Sequence, residues 1–485
     1  MSSVRTTALN IASLLFGRLG YRITTALALI LIARTVEHEA YGIFTTALAW
    51  SSVTLSLNDL GLSTYLLKTA SKKDPEFSTY FGNTLSIQIA LSTIICILLT
   101  CIGVVALSPT LGLLIGLVSF GQLAYEFRKT FRAVFRSHQQ LKSVAFTELA
   151  TGAVFLILVF VITQLSVEKT TLLFWFAGAS VCAQLMNITI LGIQALRLER
   201  PHLELNILPR MLGAAKHFFF YNIFLLLYFQ IDQILISLII SPKAVAVYSA
   251  PAQIINVLLF IPLMVFQATT PFMFAWFDVA KEKYIKLLNL QWRYLLACSV
   301  PIGVGISILA THILQLVYGA QFFDAPTLSD SASILQLFAL FLMLRFSAVV
   351  LMNALMTSDN ARIRMRFQLA AVVGNVLLDL ILIPYLGVIG AALSTVVVET
   401  LVLIILVVTH ARVGLARASH MLPTLFRVIV ATIVMGVAVF LLRELLPVIV
   451  LSIGGACIYL GTLLLSGFFT ADDRTLFVQF RKNSL

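Results

Sequence analysis

Between Val372 and Pro384 the sequence reads VVGNVLLDLILIP, and Asn375 and Asp379 are its only polar side chains. Four residues apart, they share one face of a helix. An amide and a carboxylate so placed can close a satisfied polar pair, or they can hold a proton or a hard cation. Asp232, Thr395 and Glu399 stand in equally apolar surroundings, with Arg345 as the candidate counter-charge. Nearer the amino terminus the chemistry changes sign. Arg18 and Arg22 are again four apart, and Arg128, Arg132 and Arg136 form a stripe with Glu126 and Glu148 close by. Paired guanidiniums suit a phosphate through forked, charge-assisted hydrogen bonds. The plainer alternatives are a structural ion pair for Arg22 and ordinary anchoring on the inner membrane face for the stripe.

What divides those readings is the solvent around the elements that carry the residues. The chain has 485 residues, 60% hydrophobic and 11% charged, where a soluble domain carries roughly 25% charged residues. Such a composition points to a bilayer. A crossing takes about 20 predominantly apolar residues. Candidate spans fall at 11–33, 42–67, 81–106, 110–127, 144–165, 171–196, 217–240, 245–277, 289–311, 331–357, 367–383, 389–410, 423–442 and 448–469. They leave no room for a soluble domain. The expectation is an all-α polytopic membrane protein of about 14 transmembrane helices, the number of spans just given.

In hydrocarbon the ionisable residues become informative, because one near the bilayer centre costs about 2.5–3.5 kcal/mol on insertion scales. Arg22 sits about eleven residues into its span, roughly 16 Å deep at 1.5 Å per residue, too deep to snorkel easily to water. Asn58 and Asp59, in SLNDLGLSTYLLK, fall in the inner half of span two, where Asp59 is expected to pair with Arg18. Asp232 and Asp379 lie at matching depths in spans seven and eleven. With Asn375 and Thr395 they can protonate or hold sodium, and either gives a cation-coupled switch; a purely structural hydrogen-bond cluster is the alternative.

The formal charge of +12 is not a nucleic-acid signal. With the amino terminus inside, 24 of the 33 Lys and Arg fall in inner segments and four in outer loops. That bias is the positive-inside rule, and it predicts an even number of spans with both termini cytoplasmic. The start MSSVRTTALNIASLLFGRLG lacks a small-residue cleavage pattern and reads as a first span. Five cysteines all fall within spans and predict no disulfide framework. No GxxxxGK[ST] loop occurs, so ATP is not the expected fuel. GLLIG at 112–116 is a small-xxx-small pair suited to helix packing.

Two halves resemble one another. EAYGIFTTALAW after the first span matches KAVAVYSAPAQI after the seventh, 204 residues later. AVFRSHQQLKSVAF between spans four and five matches ALMTSDNARIRMRF between spans ten and eleven. Parallel repeats of this kind are a transporter architecture. The expected organisation is a six-helix lobe over 1–200, a second over 210–411, and a helix pair with a cytoplasmic tail over 412–485. The polar stretch LRLERPHLELNILPR joins the lobes.

At this level the chain resembles a known family. EAYGIFTTALAWSSVTLSLNDLGLSTYLLK is similar to the second-span region of polysaccharide and O-antigen flippases, members of the multidrug/oligosaccharidyl-lipid/polysaccharide exporter superfamily. KAVAVYSAPAQIINVLLFIPLMVFQATTPFMF and GNVLLDLILIPYLGVIGAALSTVVVE resemble the matching second-lobe stretches. The resemblance covers nearly the whole chain, through loose apolar patterns. It implies fourteen helices, two six-helix lobes in a V, and alternating access. It also implies export of an undecaprenyl-pyrophosphate-linked oligosaccharide from the cytoplasmic to the periplasmic leaflet of the inner membrane. The related peptidoglycan-precursor flippases carry a sodium site, which Asp232, Asn375, Asp379 and Thr395 resemble, and first-helix cavity arginines, which Arg18 and Arg22 resemble. No helix-eight arginine matches theirs, which favours another lipid-linked glycan.

The expected substrate contacts are therefore Arg18, Arg22, Asp59, Arg128, Arg132 and Arg345. Sodium or a proton is expected at Asp232, Asn375, Asp379 and Thr395, with Glu399 in coupling and no other cofactor. Expected partners are the lipid-linked oligosaccharide, membrane lipids, and a polysaccharide polymerase with chain-length proteins. A cation-coupled drug exporter of the same fold would favour an acidic first-lobe cavity, against which Arg18 and Arg22 speak. A membrane polymerase, ligase or glycosyltransferase would need a large outer loop. The longest here, YGAQFFDAPTLSDS, offers Asp324 and Asp330 without basic partners nearby in sequence.

Overall fold

Lipid offers no hydrogen-bond partners, so a chain this apolar must satisfy its backbone internally, and helices do so within one segment. The computed structural model describes residues 2–72, 75–138, 140–277, 279–357, 361–413 and 418–468. They are overwhelmingly helical. Eleven helices among the described residues are long and apolar enough to cross a membrane, or twelve if the pair Lys281–Ile308 and Ala310–Tyr318, bent by 81°, counts as one span. Expected spans two and seven account for the difference from fourteen. Span two is broken into two helices, and in span seven Gln230–Ile239 counts as a shorter apolar helix.

Two compact units divide the chain, Met1–Ala246 and Val247–Leu485. The first holds α1 (Ser2–Thr35), α2 (His38–Leu57), α3 (Leu62–Lys72), α4 (Phe77–Ala106), α5 (Pro109–Ser137), α6 (Leu141–Thr163), α7 (Lys169–Leu198) and α8 (Leu208–Ile239). Glycines set the closest approaches. A Cβ on Gly17 of α1 would lie 2.4 Å from the Ala145 carbonyl oxygen of α6, and one on Gly152 would lie 2.1 Å from Thr24 Oγ1. Gly112 and Gly116, the GLLIG pair, press on Val104 and Thr100 in the same way, so this motif packs α5 on α4.

The break in span two occupies Asn58–Gly61. Leu60 (φ 47°) and Gly61 (φ 76°) are both left-handed. A bulky side chain there is rare and signals a backbone held by its surroundings. Gly61 has a second constraint, since a Cβ would lie 2.5 Å from the Phe219 backbone nitrogen of α8. Below the break, Leu62, Leu66, Tyr80, Phe81, Phe131 and Phe135 form an apolar core joining α3, α4 and α5.

Glu39 and Lys243, the equivalent residues of the two matching stretches, form an ion pair with each other. Thr46 donates to the Pro242 carbonyl (3.0 Å), beside Gly42, whose Cβ would strike the Lys243 carbonyl. The linker is pinned as well: Asn83 of α4 donates to the Glu204 carbonyl (2.7 Å) and accepts from the Glu204 amide (3.1 Å).

The second unit holds α9 (Val245–Leu258, which begins at the boundary), α10 (Phe260–Trp276), α11 (Lys281–Ile308), α12 (Ala310–Tyr318), α13 (Ala325–Thr357), α14 (Ala361–Leu386), α15 (Val388–Val413), α16 (Ala418–Leu442) and α17 (Val448–Leu465). Helix α13 packs against α11 and α15, while α16 and α17 pair and rest on α11. Gly387 (φ 60°) reverses the chain between α14 and α15, and Gly390 presses on the Leu382 carbonyl. This tight reversal brings the middle of α14 level with the second turn of α15.

Candidate functional site

In the first unit, α1, α5 and α6 bring basic residues around one carboxylate. Glu148 of α6 is fully buried, and its Oε1 lies 2.5 Å from Arg132 Nη2 and 3.5 Å from Arg128 Nη1 of α5. The i,i+4 spacing of Arg128 and Arg132 is what presents both to one acceptor. Arg128 also stacks over Tyr125, its carbon 3.8 Å from the ring centroid, with Tyr21 of α1 beyond at 5.3 Å. Such cation–π contacts strengthen when desolvated. Gln184 of α7 donates to the Tyr21 hydroxyl (3.0 Å). Arg18 lies within electrostatic reach of Glu148, Arg128 and Arg22. Three guanidiniums thus face one carboxylate. The Nε donors of Arg128 and Arg132 are buried without an acceptor among the described residues. Arg22 is exposed, on a face of α1 turned away from the glycines that meet α6, and Arg136 is exposed at the end of the stripe.

Asp59 does not follow the expected pairing with Arg18. The break in span two makes it a cap instead. Its Oδ1 accepts from the Ser63 amide (3.0 Å) of α3 and from Gln88 Nε2 (3.3 Å) of α4. Thr130 of α5 closes the network, donating to Gln88 Oε1 (2.8 Å) and meeting Ser63 Oγ at 2.9 Å. One turn up α4, Ser92 donates to Asn58 Oδ1 (3.2 Å). Glu126 lies a turn before Thr130 and pairs with Lys129 Nζ at 2.7 Å.

In the second unit, Asn375 and Asp379 of α14 are buried and share a face, as their spacing requires. Ser394 of α15 joins them. It accepts from Asn375 Nδ2 (3.1 Å) and donates to Asp379 Oδ1. Thr395, the expected ligand, donates to the Ala391 carbonyl of its own helix (3.1 Å). Arg345 of α13 faces Glu399 of α15, with Nη1 3.3 Å from both carboxylate oxygens. Asp232 is buried on α8 within the first unit.

A family model described as polysaccharide biosynthesis protein matches residues 8–277, more than half of the chain. The chain belongs to that family. Comparison with curated proteins finds no match. Among solved structures it is similar to lipid II flippase MurJ in an inward closed conformation, at 15% identity and TM-score 0.74, over 92% of this chain and 96% of that one. It is similar to an inward-facing multidrug resistance MATE family transporter of the MOP superfamily at 14% identity and TM-score 0.63, over 84% and 98%. A MOP superfamily transporter from Pyrococcus furiosus matches at 12% identity and TM-score 0.57, over 85% and 98%. These likenesses give the fold. The chain is thus a multi-pass membrane protein of a polysaccharide biosynthesis family, with the fold of these transporter structures.

The second unit of this polysaccharide biosynthesis protein also contains an apolar cavity of about 490 Å³. It lies among α11, α16 and α17, with Pro301, Ile306, Met435, Val439, Leu451 and Leu463 in its wall. Tyr459 crosses it to donate to the Ala297 carbonyl (2.7 Å). Sequence reasoning missed this cavity and the bridging roles of Ser394, Gln88 and Thr130. Only the NDLG turn signal before Ser63 was there to be found.

Proposed function

We propose that this family member moves an undecaprenyl-pyrophosphate-linked oligosaccharide from the cytoplasmic to the periplasmic leaflet of the inner membrane, by alternating access coupled to a sodium or proton gradient. The observation that carries the reading is the arginine excess around Glu148. Buried Arg128 and half-buried Arg132 converge on Glu148 with Arg18 in its field, and such a cluster of guanidiniums suits an anion. The unpaired Nε donors give a pyrophosphate oxygen somewhere to bond. Arg22, exposed and four residues from Arg18, meets the headgroup first. The cavity among α11, α16 and α17 has the apolar lining an isoprenoid segment needs.

Coupling belongs to the Asn375–Ser394–Asp379 group. A carboxylate held by neutral oxygens and an amide binds a proton or sodium, and differential affinity for that cation shifts the balance between access states. Asp232 is assigned to the same role through the family resemblance. The paired Arg345 and Glu399 hold α13 to α15 beside it.

The test is flipping of the lipid-linked oligosaccharide in proteoliposomes. Arg22→Ala abolishes flipping while the protein inserts normally; wild-type flipping would reject the anion site. Asp379→Ala removes dependence on the imposed gradient; unchanged dependence would reject the coupling role.

A further inference from the structure

Asp59 and Glu126 are two buried carboxylates that neither the arginine cluster nor the Asp379 group uses. Both are essentially inaccessible to solvent. Their register follows from the network beneath them. Ser63 Oγ and Thr130 Oγ1 meet at 2.9 Å, tying α3 to α5. Asp59 precedes Ser63 by four residues and Glu126 precedes Thr130 by four. Both acids therefore lie on the amino-terminal side of the Ser63–Thr130 contact, Asp59 through the turn and Glu126 one helical turn away. Each lies within the other's field.

The charges around them do not balance. Lys129 pairs with Glu126 Oε2 and also feels Asp59. Arg128 adds its field to Glu126 but spends its contacts on Tyr125 and Glu148. Helix α4 brings no charged side chain, only Gln88 and Ser92. Lys68 of α3 and Lys216 of α8 are exposed. Among the described residues the two carboxylates therefore share one contacting cation. Asp59 Oδ2 and Glu126 Oε1 are buried with no hydrogen-bond partner among the described residues. A buried charge left in that state is expensive, and a proton is the smallest group that removes it. A metal ion would need several more oxygens, but the Gln88 oxygen is taken by Thr130 and the Ser63 amide points at Asp59 Oδ1.

We propose that Asp59 and Glu126 form a proton-loading site at the break of span two, separate from the Asp379 group. Loading forms one O–H bond on this carboxyl pair with a proton taken from water; unloading breaks it and returns the proton to water. The loaded pair carries one negative charge against Lys129. The unloaded pair carries two, which pull apart across the left-handed turn at Leu60–Gly61 and give the break its second state.

Dicyclohexylcarbodiimide reacts with protonated carboxyl groups in apolar surroundings, and its adducts are located by mass spectrometry on the purified wild-type protein. This measurement needs no substrate and no transport, so it stands apart from the proposed function. The expected result is labelling of Glu126 or Asp59 that falls about tenfold per pH unit above a midpoint, unaffected by sodium. Lys129→Met shifts that midpoint upward, since removing a positive neighbour favours the protonated form. The protonated-carboxyl infrared band gives a second readout, present in wild type and weaker in Glu126→Gln. Absence of both label and band, labelling independent of pH, protection by sodium, or an unmoved midpoint in Lys129→Met would each overturn the proposal.

Discussion

The two units both bury charge in apolar helices, and they balance it in opposite ways. Around Glu148 of the first unit, guanidiniums outnumber carboxylates, and buried donors remain open. In the second unit Arg345 and Glu399 cancel each other, and Asp379 is met by the neutral Ser394 and, through it, Asn375. Either arrangement costs stability in an empty site, because low dielectric penalises whichever sign is in excess. Such excess persists where a visiting ion of the other sign completes it. On the proposed reading, an anion completes the Glu148 cluster and a cation the Asp379 group.

The largest effect should come from removing the carboxylate that holds the arginines together. Glu148→Ala leaves Arg128 and Arg132 buried without their acceptor, and breaking a buried pair from one side costs about 3–5 kcal/mol. Thermal unfolding of the purified protein should show that loss. Added inorganic pyrophosphate should restore part of it, since the anion supplies what Glu148 did. Glu399→Ala should lose comparable stability but gain nothing from pyrophosphate, because only one guanidinium is released there. Equal rescue of both variants would dissolve the distinction between the units.

A second test separates structural pairing from substrate contact at Arg345. Arg345→Met and Glu399→Leu should each cost about 3 kcal/mol alone, and the double variant should recover most of it, since a buried pair replaced by apolar residues is often neutral. The coupling is read from a double-mutant cycle in unfolding free energy. A double variant as unstable as the sum of the singles would mean that Arg345 answers to something other than Glu399.

How far the sequence reached follows the same line between charge and its partners. Hydropathy alone located the helices, because a bilayer admits few other structures, and helix spacing placed Asn375 with Asp379 and Arg128 with Arg132 on common faces. Pairing across helices was less legible. Glu148 stood out as a nearby acid, yet its position between two arginines depends on how α6 meets α5, which spacing along one helix does not give. Asp59 was assigned to Arg18 by depth in an unbroken span, and the turn at Leu60–Gly61 redirected it to Ser63 and Gln88. Ser394 and Thr130 gave no signal, since hydroxyls in apolar helices commonly bond their own backbone, as Thr395 does to Ala391.

Ser394 also offers the smallest and most selective test. Its hydroxyl accepts from Asn375 and donates to Asp379, so the two α14 side chains communicate through it. Ser394→Ala removes that link without altering any charge or leaving a large void. Unpairing buried polar groups costs about 1–3 kcal/mol, well below the loss expected at Glu148. The effect on the cation should be clearer than the effect on stability. If the group holds sodium or a proton at Asp379, the variant should lose much of the stabilisation that wild type gains from sodium over potassium, or from lowered pH. The response to pyrophosphate should stay as in wild type, because the arginine cluster lies in the other unit. A variant that loses stability yet keeps its full cation response would reduce Ser394 to packing and leave the cation to Asp379 without it.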